Sequence, residues 1–169
     1  MRIIGIDPGL VKTGVGIIDV HGNNLQFVSR ETIKPNKNIV LSERLKVLYC
    51  GLIEIIEQYQ PDSAAIEETF MNNNPASALK LGVARGVAMV APATKGLEVG
   101  EYPANLIKKS VVGAGKCSKE QMGMMIRTLL PSCGEPSEDE ADALAVAITH
   151  AHHYQSREKF GGILAGAAR

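Results

Sequence analysis

The chain has 169 residues, 45% of them hydrophobic and 21% charged, and its 18 basic and 18 acidic side chains give a formal net charge of zero. This length fits one compact domain with its own hydrophobic core, and the charge balance argues against a simple nucleic-acid coat protein. No apolar run is long enough to cross a membrane, no signal-peptide pattern is visible, and three dispersed cysteines without a CxxC pair argue against a zinc or disulfide framework, so a cytoplasmic protein is expected.

The first part of the chain predicts three strands joined by short turns. Arg2 to Asp7 reads as a buried central strand, and the turn at Pro8-Gly9 leads into a second strand from Thr13 to Asp19. The residues His21-Gly22-Asn23-Asn24 favour a hairpin before a third strand from Leu25 to Ile33. Strands joined by such short turns are antiparallel.

The rest of the chain predicts helices that alternate with two more strands. These later strands are reached through helices and should therefore lie parallel to the first. The expected fold is α/β: a mixed five-stranded sheet, three strands antiparallel and two parallel, with helices on both faces. We expect one domain over residues 1–156 and a poorly ordered Gly/Ala-rich tail over residues 157–169. The predicted elements are a helix that begins at Ser42 and is stopped by Pro61, a strand from Ser63 to Glu67, a helix from Asn74 to about Pro92 and a strand from Leu97 to Glu101. Three further helices are predicted: from Pro103 to about Lys108, from Ser118 to a point before Pro131, and from Ser137 to about His153.

Four carboxylates stand out by their placement. Asp7 ends the first strand and Glu67 ends the fourth, so the two should lie side by side at the carboxyl edge of the sheet, where open α/β sheets place their sites. Asp139 and Asp142 are three residues apart on the last helix and share one face of it. The pattern predicts that this helix brings its two acids against the pair on the strands.

Such a cluster needs compensating charge. Two carboxylates about 4 Å apart repel each other by roughly 4 kcal/mol at an effective dielectric constant near 20. Hard divalent cations with oxygen ligands relieve this repulsion, and two of them form the usual arrangement for phosphodiester hydrolysis. An alternative for Asp139 alone is an acid that complements the helix dipole, and Glu140 is explained as the partner in a capping box with Ser137.

Six segments make the chain recognisable. They occur in the order GIDPG (Gly5–Gly9), TGVGII (Thr13–Ile18), AIEETFM (Ala65–Met71), SALKLGVARG (Ser77–Gly86), VVGAGKCSK (Val111–Lys119) and DEADALAVAITH (Asp139–His150). As a set they resemble the RuvC family of Holliday-junction resolvases within the ribonuclease-H-like superfamily, over most of residues 1–153. The GIDPG segment alone is a weak indicator of the family, since other ribonuclease-H-like proteins and actin-like proteins begin with a similar segment.

The resemblance implies a homodimeric crossover junction endodeoxyribonuclease of DNA recombination and repair. Such an enzyme nicks two strands of a four-way junction symmetrically and leaves 5′-phosphate and 3′-hydroxyl ends. The catalytic and metal-binding acids of the family fall on Asp7, Glu67, Asp139 and Asp142. The implied cofactor is Mg²⁺, two ions per site, with Mn²⁺ able to substitute. The implied partners are four-way junction DNA and a branch-migration motor of the RuvA and RuvB type.

The resemblance also implies contacts with DNA. Phe70 matches an aromatic residue that stacks on a base at the crossover, although a buried loop anchor is the alternative. The functional lysines of the family match Lys108 and Lys119, which lie in a basic segment from Ala76 to Arg127. Further candidates for phosphate contacts in that segment, without a firm match, are Lys80, Arg85, Lys109 and Lys116.

A stripe of small residues marks a possible interface. Ala78, Gly82 and Gly86 recur every four residues on one helix, a spacing that permits close approach of another element. The resemblance implies that this helix pairs the subunits, and packing onto the sheet is the alternative. His150, His152 and His153 could be read as extra metal ligands, but histidines at a helix end more often complement the helix dipole.

Three other functions remain open from the sequence. A ribonuclease-H-like nuclease acting on ribosomal RNA would share the metal-site logic. An actin-like phosphotransferase would need a longer chain with a second phosphate loop, and a non-catalytic junction-binding protein would not need the four acids.

Overall fold

A computed structural model of the chain describes residues 1–68 and 75–166. In this part of the chain, five strands and five α-helices alternate largely as the sequence predicts. They are β1 (Arg2–Asp7), β2 (Thr13–His21), β3 (Asn24–Ile33), α1 (Leu41–Tyr59), β4 (Ser63–Glu68), α2 (Pro75–Thr94), β5 (Glu98–Pro103), α3 (Ala104–Val112), α4 (Lys119–Leu129) and α5 (Glu138–Gly166), with a short 3-10 turn at Pro131–Cys133.

The five strands form one mixed sheet in the order β3-β2-β1-β4-β5. β1 and β3 both pair with β2 in antiparallel fashion, while β4 runs parallel to both β1 and β5. The predicted α/β fold with three antiparallel and two parallel strands is therefore confirmed.

Two hydrophobic cores cover the two faces of the sheet. Ile4 and Ile6 of β1 pack with α1 and α2, whereas Ile3 packs with α3, α4 and α5. Since side chains alternate along a strand, Gly5 and Asp7 share the face of Ile3. Asp7 therefore points towards the side of the sheet that α5 covers.

Glycines in the central strands let α5 lie directly on the backbone of the sheet. A Cβ placed on Gly5 would meet the carbonyl oxygen of Ala143 at 2.2 Å, and one placed on Gly16 would meet the backbone nitrogen of Leu144 at 2.8 Å. Both distances are too short for any side chain. The position of α5 thus depends on these glycines.

Two helix ends differ from the sequence prediction. α2 continues through Pro92 to Thr94, because a proline in the last turn removes a single helical N–H, and its carbonyl still accepts hydrogen bonds from the amides of Lys95 and Leu97. α5 passes His153 and ends at Gly166, as residues 154–160 include neither proline nor glycine. The division into a domain over 1–156 and a tail over 157–169 stays a prediction.

None of the helices within residues 1–68 and 75–166 is both long and apolar enough to span a membrane.

Candidate active site

Asp7 and Glu67 lie on neighbouring parallel strands at the same level of the sheet. Ile6 of β1 pairs with Ile66 of β4, so the two acids are the next residues in register. Glu67 shares the face of Ala65, which packs in the core under α5. Both carboxylates therefore face α5 at the carboxyl ends of their strands, as the sequence predicts.

The first turns of α5 bring the other two acids to this edge. Asp7 pairs with Gly14 of β2 across the antiparallel ladder. The backbone of Asp139 lies against Gly14, where an added Cβ would meet the Asp139 carbonyl oxygen at 1.9 Å. Asp142 follows one turn later on α5 and lines a cavity of about 120 Å³ together with Glu67, Lys108 and Met122. The four predicted acids are thus brought to one region.

Burial and mutual repulsion change the acidity of this group. Burial, followed by the charges of Glu67, Asp142 and Asp139, raises the pKa of Asp7 to about 8. The pKa of Glu67 is raised to about 7, first by burial and then by the charge of Asp142. Burial also raises the pKa of Asp142. Carboxyl groups with raised pKa values at a cleft are typical of functional sites.

The four acids fit a hard divalent cation in their chemistry, because all the donors are carboxylate oxygens that repel one another. In this structure the carboxylate groups lie farther apart than the ligands of a bound ion would. Within residues 1–68 and 75–166, no three His, Cys, Asp or Glu side chains stand close enough together to hold an ion. Coordination of one ion by three of them therefore requires rotation of the side chains.

Three lysines surround the carboxylates. Lys119 forms an ion pair with Glu138 at the start of α5. Its positive charge partly offsets the rise in the pKa values of Asp7 and Asp142. Lys108 acts in the same way on Glu67. Lys12 is not among the site residues predicted from the sequence, and its Nζ lies 3.6 Å from Oδ2 of Asp139. Its position in the loop directly after Asp7 was the available signal.

The weaker candidates for DNA contact are more dispersed. Lys80, Lys109 and Lys116 are exposed, whereas Arg85 of α2 forms an ion pair with Glu101 of β5. Phe70 lies outside the described residues.

Two histidines of α5, His150 and His152, make hydrogen bonds with neighbouring elements. The ring of His150 is buried and hydrogen-bonded to Ser63 Oγ at 3.1 Å and to the Tyr102 hydroxyl at 2.9 Å. His152 is hydrogen-bonded to Ser110 Oγ at 3.0 Å, and burial lowers its pKa. These contacts tie α5 to the neighbouring elements instead of adding ligands to the acids.

The small residues of α2 are divided between two faces. Ala84, Ala88 and Ala91 are buried in the hydrophobic core that α1 and α2 form with the sheet. Gly82 and Gly86 are exposed, and a Cβ at either position would meet nothing within 4 Å, while Ala78 is partly exposed. Beside the glycines, an apolar groove of about 530 Å³ runs between α1 and α2, lined by Leu45, Lys46, Tyr49, Val83, Gly86, Val87 and Val90.

Comparisons with known proteins agree with this architecture. The model of the family described as "Crossover junction endodeoxyribonuclease RuvC" matches residues 3–150. Proteins of that name from Paramagnetospirillum magneticum and Azorhizobium caulinodans are 54% and 56% identical, over 98% and 90% of this chain and 99% and 90% of their own. The structure of T. thermophilus RuvC in complex with a Holliday junction substrate superposes with a TM-score of 0.86 at 30% identity, covering 92% of this chain and 96% of that one. This chain therefore belongs to the RuvC family of crossover junction endodeoxyribonucleases.

Proposed function

We propose that this chain resolves four-way DNA junctions by paired, symmetric nicking that leaves 5′-phosphate and 3′-hydroxyl ends. The observation that carries the proposal is the meeting of Asp7 and Glu67, on adjacent parallel strands, with the first turns of α5 that bear Asp139 and Asp142. The T. thermophilus relative with the same fold was solved with a Holliday junction bound. The family membership and the acid cluster point to the same chemistry.

The proposed cofactor is Mg²⁺, two ions per site, and Mn²⁺ is expected to replace it. Asp7, Glu67, Asp139 and Asp142 would hold these ions as oxygen ligands. When bound, divalent cations would activate the attacking water and stabilise the leaving 3′ oxygen. The sheet and α5 fix the backbone positions of the four acids, so that only their side chains need to rotate when an ion binds.

DNA would approach over the lysines that border the acids. Lys108 lines the cavity with Glu67 and Asp142, Lys119 pairs with Glu138 at the start of α5, and Lys12 contacts Asp139. We therefore expect all three lysines to contact a phosphate held at the site. A nearby carboxylate offsets part of the positive charge of each lysine, and a bound phosphate would compete with that carboxylate for the lysine. Base stacking by Phe70 remains part of the proposal.

A homodimer would supply the second cut. The exposed glycines of α2 and the adjoining apolar groove offer a surface for a second copy. A two-fold dimer places two identical sites symmetrically, which matches paired nicking. A cytoplasmic location and a branch-migration motor of the RuvA and RuvB type complete the proposal.

Cleavage of synthetic substrates tests this function. The chain is incubated with Mg²⁺ and a four-way junction labelled in turn on each strand, and the nicks are mapped. Symmetric nicks in two opposing strands whose ends can be ligated are expected, together with little cleavage of duplex, single-stranded DNA or structured RNA. Preferential cleavage of RNA would assign the chain to RNA processing instead.

A further inference from the structure

Glu140 of α5 makes more contacts than a capping residue needs. Its Oε2 accepts a hydrogen bond from the backbone N–H of Ser137 at 2.8 Å, which is the capping contact expected from the sequence. Its Oε1 also accepts from the Thr32 hydroxyl at 3.2 Å, and Nη1 of Arg30 lies 3.5 Å from Oε2. With 18% of its side chain exposed, Glu140 is largely enclosed between α5 and β3.

The strand residue that Glu140 contacts lies level with the acids of the sheet. Thr32 of β3 pairs with Gly14 of β2, and Gly14 pairs with Asp7 of β1. Glu67 follows on β4, and Tyr102 of β5 pairs with Glu67. We call these five residues the acid row: Thr32, Gly14, Asp7, Glu67 and Tyr102.

The residues at both ends of the acid row, Thr32 and Tyr102, form hydrogen bonds with α5. At the β5 end, Tyr102 is hydrogen-bonded to His150, whose other ring nitrogen is hydrogen-bonded to Ser63. At the β3 end, Thr32 donates its hydrogen bond to Glu140. Asp142 lies between these two points and Asp139 lies directly beside the second. The helix is therefore fixed across the row that carries the other two acids.

From this geometry we infer that Glu140 is a positioning residue, which fixes the first turn of α5 to β3 and so sets the distance of Asp139 and Asp142 from Asp7 and Glu67. The inference rests on the proposed metal-dependent function. The buried His150 fixes a later turn of α5 to the sheet through its hydrogen bonds. The first turn is therefore the part of α5 whose placement depends on Glu140. Side chains that orient metal ligands typically change metal affinity or activity about 10- to 100-fold when removed.

The contact with Thr32 separates positioning from helix capping. Thr32→Val removes the hydroxyl while it preserves the shape of the side chain, and it leaves the Ser137–Glu140 cap intact. Glu140→Ala removes the cap and the cross-strand contacts together, whereas Glu140→Gln keeps a hydrogen-bonding side chain of the same size. Glu135→Ala is the matched control, because this acid just before α5 is 86% exposed and also pairs with an arginine, Arg127 of α4, at 3.2 Å.

Calorimetric titration of each variant with Mn²⁺, without DNA, is the primary measurement, and junction cleavage and thermal unfolding accompany it. We expect a dissociation constant raised about 10-fold or more in Glu140→Ala and about 3-fold or more in Thr32→Val, with partial recovery in Glu140→Gln and parental affinity in Glu135→Ala. Cleavage rates at subsaturating metal should fall in the same order.

The outcomes separate the two claims. If Thr32→Val and Glu140→Ala fold and bind Mn²⁺ as tightly as Glu135→Ala, the positioning role is overturned even where the parent chain cuts junctions. A metal affinity that falls only in Glu140→Ala assigns Glu140 to capping and also overturns it. If the parent chain binds Mn²⁺ but cuts no junction, the proposed function fails, and the order of affinities still decides the role of Glu140.

Discussion

Gly14 of β2 lies so close to Asp139 of α5 that a Cβ at position 14 would meet the Asp139 carbonyl oxygen at 1.9 Å. Gly14 is also the cross-strand partner of Asp7. One small residue thus sits between an acid on the sheet and an acid on the helix, and the missing side chain brings the two together. The acid cluster depends on this close packing as much as on the acids themselves.

Gly14→Ala is therefore expected to push the first turn of α5 away from β2. Overpacking of this kind destabilises proteins by about 1–3 kcal/mol, and a displacement near 1 Å at a catalytic group can lower the rate about 100-fold. Single-turnover junction cleavage and thermal unfolding measure the two effects. Gly22→Ala is the control, because its backbone φ of +58° strains alanine in the β2–β3 turn, far from the acids. Equal cleavage by both variants at matched stability would contradict the role of Gly14.

Asp7→Asn should abolish Mg²⁺-dependent cleavage, spare junction binding and stabilise the metal-free protein at high pH. The folded-state pKa of Asp7, about 8, lies above its ordinary value of 3.8, so the folded protein binds this proton more tightly than the unfolded chain. Stability contributed by Asp7 is thus present below about pH 4 and is lost as the pH rises through 8. In EDTA at pH 9, the variant should exceed the parent by more than about 1 kcal/mol in free energy of unfolding, since a tenfold change in proton affinity is worth about 1.4 kcal/mol.

Denaturant unfolding at pH 4, 6.5 and 9 gives the measurement. The difference between Asp7→Asn and the parent should shrink towards pH 4. Asp19→Asn provides a control of opposite sign, because hydrogen bonds with Arg2 lower the pKa of Asp19 in the folded state. That variant should lose stability near neutral pH. A pH-independent effect of Asp7→Asn would show that burial and the neighbouring acids do not raise the pKa of Asp7 in the folded protein.

The sequence predicted the features that depend on short-range pattern. The antiparallel pairing of the first three strands, the mixed sheet and the placement of Asp7 and Glu67 at the strand ends follow from hydrophobic runs and turns. Features that depend on the docking of α5 could not be read from local pattern. The contact of Lys12 with Asp139 and that of Glu140 with Thr32 join residues more than 100 positions apart. The acid cluster itself was predictable because the strand register brings its first pair together.

Lys119→Ala should weaken junction binding and flatten its dependence on salt. Lys119 is exposed, and its single fixed partner in the described structure, Glu138, is also exposed, so the ion pair contributes little to stability and can yield to a phosphate. Each phosphate contact adds roughly 0.9 to the slope of log affinity against log salt. Binding titrations in Ca²⁺ at several salt concentrations measure that slope. Lys95→Ala, which removes a similar pair with Glu57, should match the parent. A parental slope in Lys119→Ala would remove this residue from the DNA contact.

Val83→Arg should convert the proposed homodimer into a monomer. Val83 lines the apolar groove between α1 and α2, and 41% of its surface is exposed. A guanidinium buried there against a second copy would lose its hydration without gaining a partner, which is strongly unfavourable. Light scattering during gel filtration reports the mass, and the cleavage assay reports whether nicks remain paired. Val47→Arg is the matched control, since Val47 of α1 is equally exposed but does not line the groove. Because the acids of a monomer can cut only one strand at a time, paired nicks report an intact dimer. A monomeric parent, or a Val83→Arg variant that stays dimeric with paired nicks, would rule out this face of α2 as the interface.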